Sequence, residues 1–571
     1  MEYHSPHKIP ITVSDISSFI FSAGSPAFRK SPLYFDAESP TKCYSLEQAE
    51  VMVKRVAKGL QDLGMKPGER VLLVSGNQLH FPVLLWGVIA AGCIFTGCTP
   101  AASVQELEYQ LKDSGATLIL SGPEAVHKAI EVASRVNLPF SRIYSFCSVD
   151  SDPEPQPCNL KPWTAFWAPP AEVKGWNWKR ITSKKEAQAT TAIINYSSGT
   201  TGFPKGVEIT HYNLIANAEQ GHHKRSLVAD TERGKARKER LERSGERWLA
   251  GIPMYHAYGQ TYFCMNAILS GAKVFIMREF SLEKYMHFLD IYRITNMNAV
   301  PTIMVMLSKD PSATNYNFSS IEQAVCGSAP LGKDIGRAVA ERLLRPGVGV
   351  KQGWGMTECT CTGTAFAPDD EDDGGSVGWL MANLSAKIVS LDSKDFGNQK
   401  EASNGRKIGE IWLSGPNVMK GYFSKPKETA ETLIYDERTG KRWLRTGDIG
   451  YFDARGCLFI VDRLKELIKV KGLQVAPAEI EAVLLLHPGV QDAAVAAVKK
   501  GEFEYPRGYV VRRTKELSTK ELQEWVQERL SRHKWLVGGI SFIELVPRTA
   551  SGKVKRRELL NAKLASRESK I

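Results

Sequence analysis

The chain has 571 residues, 43% of them hydrophobic and 24% charged. That balance excludes a disordered or fibrous polymer, and the length exceeds one compact core, so two to four domains are expected. The formal net charge of +12 is spread along the chain with no arginine-rich arm or zinc-finger spacing, which argues against a nucleic-acid binder and suits small polyanions. Ten cysteines without a regular framework, and a start lacking an apolar secretory core, predict reduced thiols in an intracellular compartment.

In chain order, an amphipathic pattern over 47–63 predicts a helix and 70–75 a strand. Residues 81–102 carry no charge and are long enough to span a membrane. Pro82, Gly87, Gly92, Gly97 and Pro100 interrupt them, so a buried helix, a turn at Gly92 and a buried strand are expected instead. A helix over 104–113 and a strand over 117–121 follow, then a connector containing Pro and Trp over 153–170. Residues 191–195 read as the end of a strand. The segment 222–247, with nine Lys/Arg and five Asp/Glu and no apolar periodicity, is expected to be a solvated helix or loop insertion. Strands over 273–277 and 299–300 complete an alternation that predicts α/β layers with largely parallel sheets. An acidic surface loop is expected over 369–373, and short segments around glycine turns (386–391, 409–413, 457–461) predict a β subdomain. A boundary falls after Asp462, dividing the chain into 1–462 and 463–571. The second part reads as α+β, with helices over 478–486 and 519–530 around a strand over 492–498.

Tyr196-Ser-Ser-Gly-Thr-Thr-Gly-Phe-Pro-Lys-Gly206 has the composition of a phosphate loop. Gly199, Gly202 and Gly206 let backbone N–H groups approach an anion without Cβ interference. Ser197, Ser198, Thr200 and Thr201 add hydroxyl donors and Lys205 a charge, but the Walker A order is absent. Gln352-Gly-Trp-Gly-Met-Thr-Glu358 joins glycines to a hydroxyl at Thr357 and a carboxylate at Glu358, a partner for a hard cation bridging phosphates. Thr446-Gly-Asp448 sets a carboxylate after a tight turn, suited to ribose hydroxyls. Pro547-Arg-Thr-Ala-Ser-Gly-Lys553 puts a lysine on a glycine-containing loop, within reach of developing negative charge. Cys359 and Cys361 lack a second pair at zinc spacing.

With these motifs in this order, the chain resembles the adenylate-forming ANL superfamily, and within it the 4-coumarate–CoA ligase-like branch, from about Tyr34 to Leu560. The resemblance implies a large N-terminal part of two α/β sheet subdomains and a β subdomain, followed by a small, mobile α+β lid. It implies ATP, Mg²⁺ and coenzyme A, and two steps: a carboxylate attacks the α-phosphorus of ATP, then the CoA thiol displaces AMP. By the same resemblance, Ser197–Gly202 with Lys205, and Gln352, Gly353, Trp354 and Thr357, bind the nucleotide. Asp448 and Arg463 hold the ribose, Lys553 is catalytic, and Lys465 is the hinge. Lys469 and Gln474 lie near the adenylate, Lys471 and Gly472 near the CoA entrance, and Thr200 and Glu358 at the metal. Trp354 stands where a tyrosine is often found and keeps an aromatic plane for adenine.

Pro253-Met-Tyr-His-Ala-Tyr-Gly-Gln260 resembles the segment that opens the acyl pocket, with His256 at the carboxylate side and Tyr258 and Tyr262 as walls. Tyr255 reads as core packing. Ser328 and Ala329, with Gly353, form a second wall whose small side chains leave room for a cinnamate, a phenylacetate or a medium-chain fatty acid. The terminal Ser569-Lys570-Ile571 resembles a peroxisomal address, which implies an import receptor; without it the location is cytoplasmic. No transmembrane segment is expected. The rival readings are a free-standing enzyme loading an acid onto a carrier protein, a luciferase-like oxygenase, and a non-catalytic adenylate-binding module.

Overall fold

The computed structural model describes residues 2–147, 149, 157–197, 204–372, 374–390, 407–470, 473–500, 503–549 and 552–560. Two large sheets carry the N-terminal part. The first has eight strands in the order Gly421–Tyr422, Lys205–Thr210, Thr191–Ser197, Ile94–Cys98, Arg70–Val74, Leu118–Ser121, Ile143–Ser145 and Lys161–Pro162. The second has seven, in the order Val350–Gln352, Gln323–Cys326, Asn296–Ala299, Arg247–Ala250, Lys273–Ile276, Pro32–Asp36 and Cys43–Ser45. All pairings in the second sheet are parallel except the last, as alternation of strands and helices requires. A six-stranded antiparallel sheet holds the β segments Ser385–Val389, Gly409–Ser414, Lys441–Phe452 and Leu458–Arg463.

Helix Leu46–Asp62 starts with a reciprocal cap: Ser45 accepts from the Gln48 N–H while the Gln48 side chain accepts from that of Ser45. Its partner Phe81–Ala90 is buried along its whole length, so the uncharged stretch is a core helix. Gly87 permits this packing, since a Cβ there would lie 2.5 Å from Val56. Gly92, at φ +82°, turns the chain into strand Ile94–Cys98. Among the described residues no helix is long and apolar enough to cross a membrane. The connector is less detached than its composition suggests, because Trp163, Phe166 and Trp167 are buried against the same core.

The charged insertion departs from expectation. Helix His211–Ser226 runs into it, and a second helix, Glu232–Ser244, docks on the body through ion pairs rather than an apolar face. The Arg237 guanidinium meets Asp369 at 2.8 Å with both side chains buried, and Arg240 meets Glu322 at 2.7 Å. Asp369 is therefore not the surface acid that its loop suggested.

Beyond Arg463 the chain forms a hairpin (Ile468–Val470 with Leu473–Val475), helix Pro477–Leu485, a three-stranded sheet (Val490–Lys500, Phe503–Arg512, Ile540–Phe542) and helix Thr519–Arg529. Ile468, Val495, Val510 and Leu522 anchor a separate apolar cluster. One bond across to the larger part is from Lys309 Nζ to the Val490 carbonyl at 2.5 Å.

Candidate active site

A cavity opens where the parallel strands Gln323–Cys326 and Val350–Gln352 end, the position at which open α/β sheets expose backbone to ligands. One wall is His256, Tyr258 and Tyr262, the opposite one Ser328, Gly353 and Trp354, and Lys553 closes it. Val325, Thr357, Cys361 and Thr362 are also in the lining; Val325 and Thr362 carried no sequence signal. Ala329, expected as a wall, is not in the lining. Ser328 holds φ at +76°, which for a residue with a Cβ is a strained backbone. Gln352 does not face the cavity with its amide, because its Oε1 accepts from the Leu331 N–H at 2.7 Å and braces the loop after strand Gln323–Cys326. Tyr255 stands outside, against Gly97, with its hydroxyl 3.2 Å from Thr99 Oγ1.

The nucleotide motifs converge from distant parts of the chain. The antiparallel register of Lys441–Phe452 with Leu458–Arg463 sets Asp448 opposite Arg463, and the ends meet at 3.1 Å. The second Asp448 oxygen accepts from the Trp354 indole N–H at 2.8 Å. Gly447, at φ +69°, makes the turn before it. Asp448 in turn holds the Arg463 proton more tightly than usual. Strands Thr191–Ser197 and Lys205–Thr210 flank the phosphate loop; Ser198, Gly199, Thr200, Thr201 and Gly202 lie outside the described residues. Register pairs Ser197 with Lys205, and the Lys205 ammonium lies 4.7 Å from the Tyr422 ring centroid. The Tyr422 hydroxyl donates to Glu358 at 2.9 Å. No basic side chain sits within ion-pair distance of Glu358 among the described residues, so its carboxylate suits a cation that phosphates would also bind. The other proposed ligand, Thr200, lies outside the description.

Lys553 sits on a loop closed by its own carbonyl, which accepts from the Thr549 N–H at 2.7 Å. Burial pushes its pKa down to about 8; Arg463 adds to this, while Glu358 and Asp448 oppose it. Burial, then Lys553, pushes the His256 pKa down to about 3. His256 is therefore neutral, and its Nδ1 accepts from the Tyr258 N–H at 3.3 Å. That bond places the proton on Nε2 and leaves it as a donor.

Lys465 is exposed in the turn that follows strand Leu458–Arg463. Lys469 pairs in register with Gln474 across the hairpin, but their side chains, and Lys471 and Gly472 altogether, lie outside the described residues. Two ion pairs, from Arg556 to Glu466 at 3.1 Å and to Glu481 at 2.9 Å, join the turn to the C-terminal part.

The family model described as AMP-binding enzyme matches residues 28–423, and that of the AMP-binding enzyme C-terminal domain matches 479–553. The chain belongs to the AMP-binding enzyme family. A phenylacetyl-CoA ligase (epaB) of Aspergillus niger is 34% identical over 564 residues, covering 98% of both chains. Peroxisomal OPC-8:0-CoA ligase 1 of Arabidopsis thaliana is 32% identical and covers 99% of this chain and 96% of its own. Among solved structures, the fold matches an anthranilate CoA ligase, AuaEII, in complex with anthranoyl-AMP. Its TM-score is 0.78 at 21% identity, covering 98% and 99% of the two chains. ATP-bound MatB from Rhodopseudomonas palustris matches at TM-score 0.76 and 23% identity, covering 96% and 98%. Like other AMP-binding enzymes of this kind, the chain has the two-part adenylating fold, and the members of this family use ATP and CoA.

Proposed function

We propose that this AMP-binding enzyme joins an aryl acid of the cinnamate or phenylacetate type, or a medium-chain fatty acid, to CoA through an acyl-adenylate. It is an AMP-forming acid–CoA ligase, in line with relatives of that name over nearly its whole length. The observation that carries the residue assignment is Lys553, which comes from the C-terminal part and lines the same cavity as His256, Trp354 and Thr357.

In this reading the substrate carboxylate lies between His256 Nε2–H and Lys553 and attacks the α-phosphorus, forming a C–O–P bond as pyrophosphate leaves. Negative charge builds on the phosphorus oxygens, and the protonated Lys553 stabilises it. Trp354 stacks on adenine while Asp448 and Arg463 hold the ribose. Gln352 acts through the loop that it braces, and Ser197, Lys205 and 198–202 cradle the phosphates. Glu358, with Thr200, would hold Mg²⁺, which when bound neutralises phosphate charge. The part 463–571 then turns about Lys465, bringing Lys471 and Gly472 to the thiol of CoA, which displaces AMP. Lys469 and Gln474 attend the adenylate. The Ser569-Lys570-Ile571 tail, outside the described residues, directs the enzyme to the peroxisome; the peroxisomal name of the Arabidopsis relative supports this.

The test is acid-dependent AMP release with and without CoA, against cinnamates, phenylacetates and C6–C12 fatty acids, with mass detection of the thioester. A thioester from one group is the expected result. Adenylate without any thioester would overturn CoA as the acceptor in favour of a carrier protein.

A further inference from the structure

Behind Tyr262 lies a second, small space of about 30 Å³, which shares Tyr262, Val325 and Gly353 with the acyl cavity. Ala365, Phe366 and Met381 make it apolar on one side, and the last turns of helix His211–Ser226 bring Lys224 and Arg225 to it on the other. Three cations line it, with Lys351 the third, and no carboxylate does among the described residues.

Two of these cations are already engaged. The Lys351 ammonium donates to the Ala367 and Pro368 carbonyls at 3.0 and 2.6 Å. Arg225 bonds Glu246 at 3.2 Å and Asn296 at 3.0 Å, reaches Gln323, and stacks 4.5 Å from the Trp248 ring centroid. Lys224 differs. It is 5% exposed, yet its ammonium has no hydrogen bond or ion pair among the described residues. Burial lowers its pKa, and Asp370 is the acid that opposes this most, but it stands beyond ion-pair distance and accepts from the Ala367 N–H at 2.6 Å. Asn266, also in the lining and 1% exposed, leaves its amide oxygen unpaired. A helix C-terminus tolerates a cation but does not replace a counter-charge, and an ammonium on a largely buried stem that meets little solvent beyond this space gains from one.

We propose that Lys224 receives a second acidic group at the far end of the acyl site, so that the preferred substrate is an acid carrying a carboxylate remote from the one that reacts. This rests on the ligase reading above. The remote carboxylate gains a charge-assisted hydrogen bond from Lys224, and Val325, Phe366 and Met381 contact the carbon skeleton between the two ends. A neutral-ended acid leaves the ammonium unpaired, which is how a buried polar group rejects an analogue that lacks its partner.

The test compares kcat/KM for AMP release in matched pairs: diacids of six to ten carbons against the monoacids of equal length, and 4-carboxycinnamate against cinnamate. Wild type, Lys224→Met and Lys224→Arg are each measured. We expect at least one diacid to exceed its monoacid about tenfold or more in wild type, as differential binding of a charged group allows. Lys224→Met should reduce that ratio about tenfold or more, and Lys224→Arg should keep it. A ratio within one protein is independent of how much of the variant folds, and the wild-type ratio decides the matter if Lys224→Met does not fold. Monoacids outrunning every diacid, or a ratio unmoved in Lys224→Met, would overturn the inference alone. No AMP from any acid would overturn the ligase reading and this inference with it.

Discussion

The nucleotide side and the acyl side of the cavity treat their polar groups in opposite ways. On the nucleotide side Asp448 is bonded by both Arg463 and Trp354, Gln352 is spent on Leu331, and Glu358 accepts from Tyr422. On the acyl side the Tyr258 hydroxyl and Asn266 Oδ1 are buried without partners among the described residues. A buried polar atom without a bond costs about 1–3 kcal/mol, so the acyl side stores unmet bonding capacity at these two atoms, while Asp448, Gln352 and Glu358 on the nucleotide side already bond within the protein. A ligand common to all relatives can be met by a finished network. The substrate particular to one enzyme is met by groups that await it.

The largest effect that would break this contrast comes from the lysine shared by both sides. Lys553→Ala should lower adenylate formation by roughly 10²–10³, the usual loss when one preorganised charge stabiliser is removed. Thioester formation from supplied acyl-AMP should fall far less. Equal loss in both half-reactions would contradict the assignment of Lys553 to the first step.

Next comes the finished network. Asp448→Asn keeps the shape but removes the charge that Arg463 and Trp354 share. It should raise KM for ATP by about ten- to a hundredfold, the worth of a hydrogen bond to a charged group, with little change in KM for the acid. A matching rise for the acid would mean that the two sides are not separate.

The pH profile gives a smaller and graded effect. In the proposed first step Lys553 acts as a cation, and burial depresses its pKa to about 8. The active form is therefore full below that value and lost above it. For ATP, kcat/KM should be level towards neutrality and fall about tenfold per pH unit on the alkaline side, since this parameter reports the free enzyme. A flat profile to pH 10 would remove Lys553 from the step.

The smallest effect sharpens the acyl side. The Tyr258 hydroxyl is buried and unpaired, so Tyr258→Phe should leave folding stability unchanged or raise it by about 1 kcal/mol, read by urea titration. Loss of stability on that substitution would show that the hydroxyl has a partner.

The same contrast governs what could be read from the sequence. The nucleotide motifs are short and ordered, and the structure brings Trp354, Thr357, Asp448, Arg463 and Lys553 together as they suggest. Strand and helix alternation was legible because apolar spacing is a local property. The insertion was not. Helix Glu232–Ser244 lacks an apolar stripe because it docks by charge, and its partner Asp369 lies 132 residues from Arg237. Charge complementarity between that helix and the acidic loop was the one available signal. Lys224 stayed hidden for a related reason: within a run of nine basic residues nothing local separates the enclosed cation from the solvated ones.

The bond from Trp354 to Asp448 also gives the enzyme an optical reporter. An indole whose N–H is held by a carboxylate emits differently once a ribose shares that carboxylate and an adenine covers the ring. Of the twelve tryptophans in the chain, Trp354 both lines the cavity and touches Asp448, the carboxylate proposed to hold the ribose. The difference in fluorescence between wild type and Trp354→Phe would follow nucleotide arrival in a stopped-flow cell, without label or coupled assay.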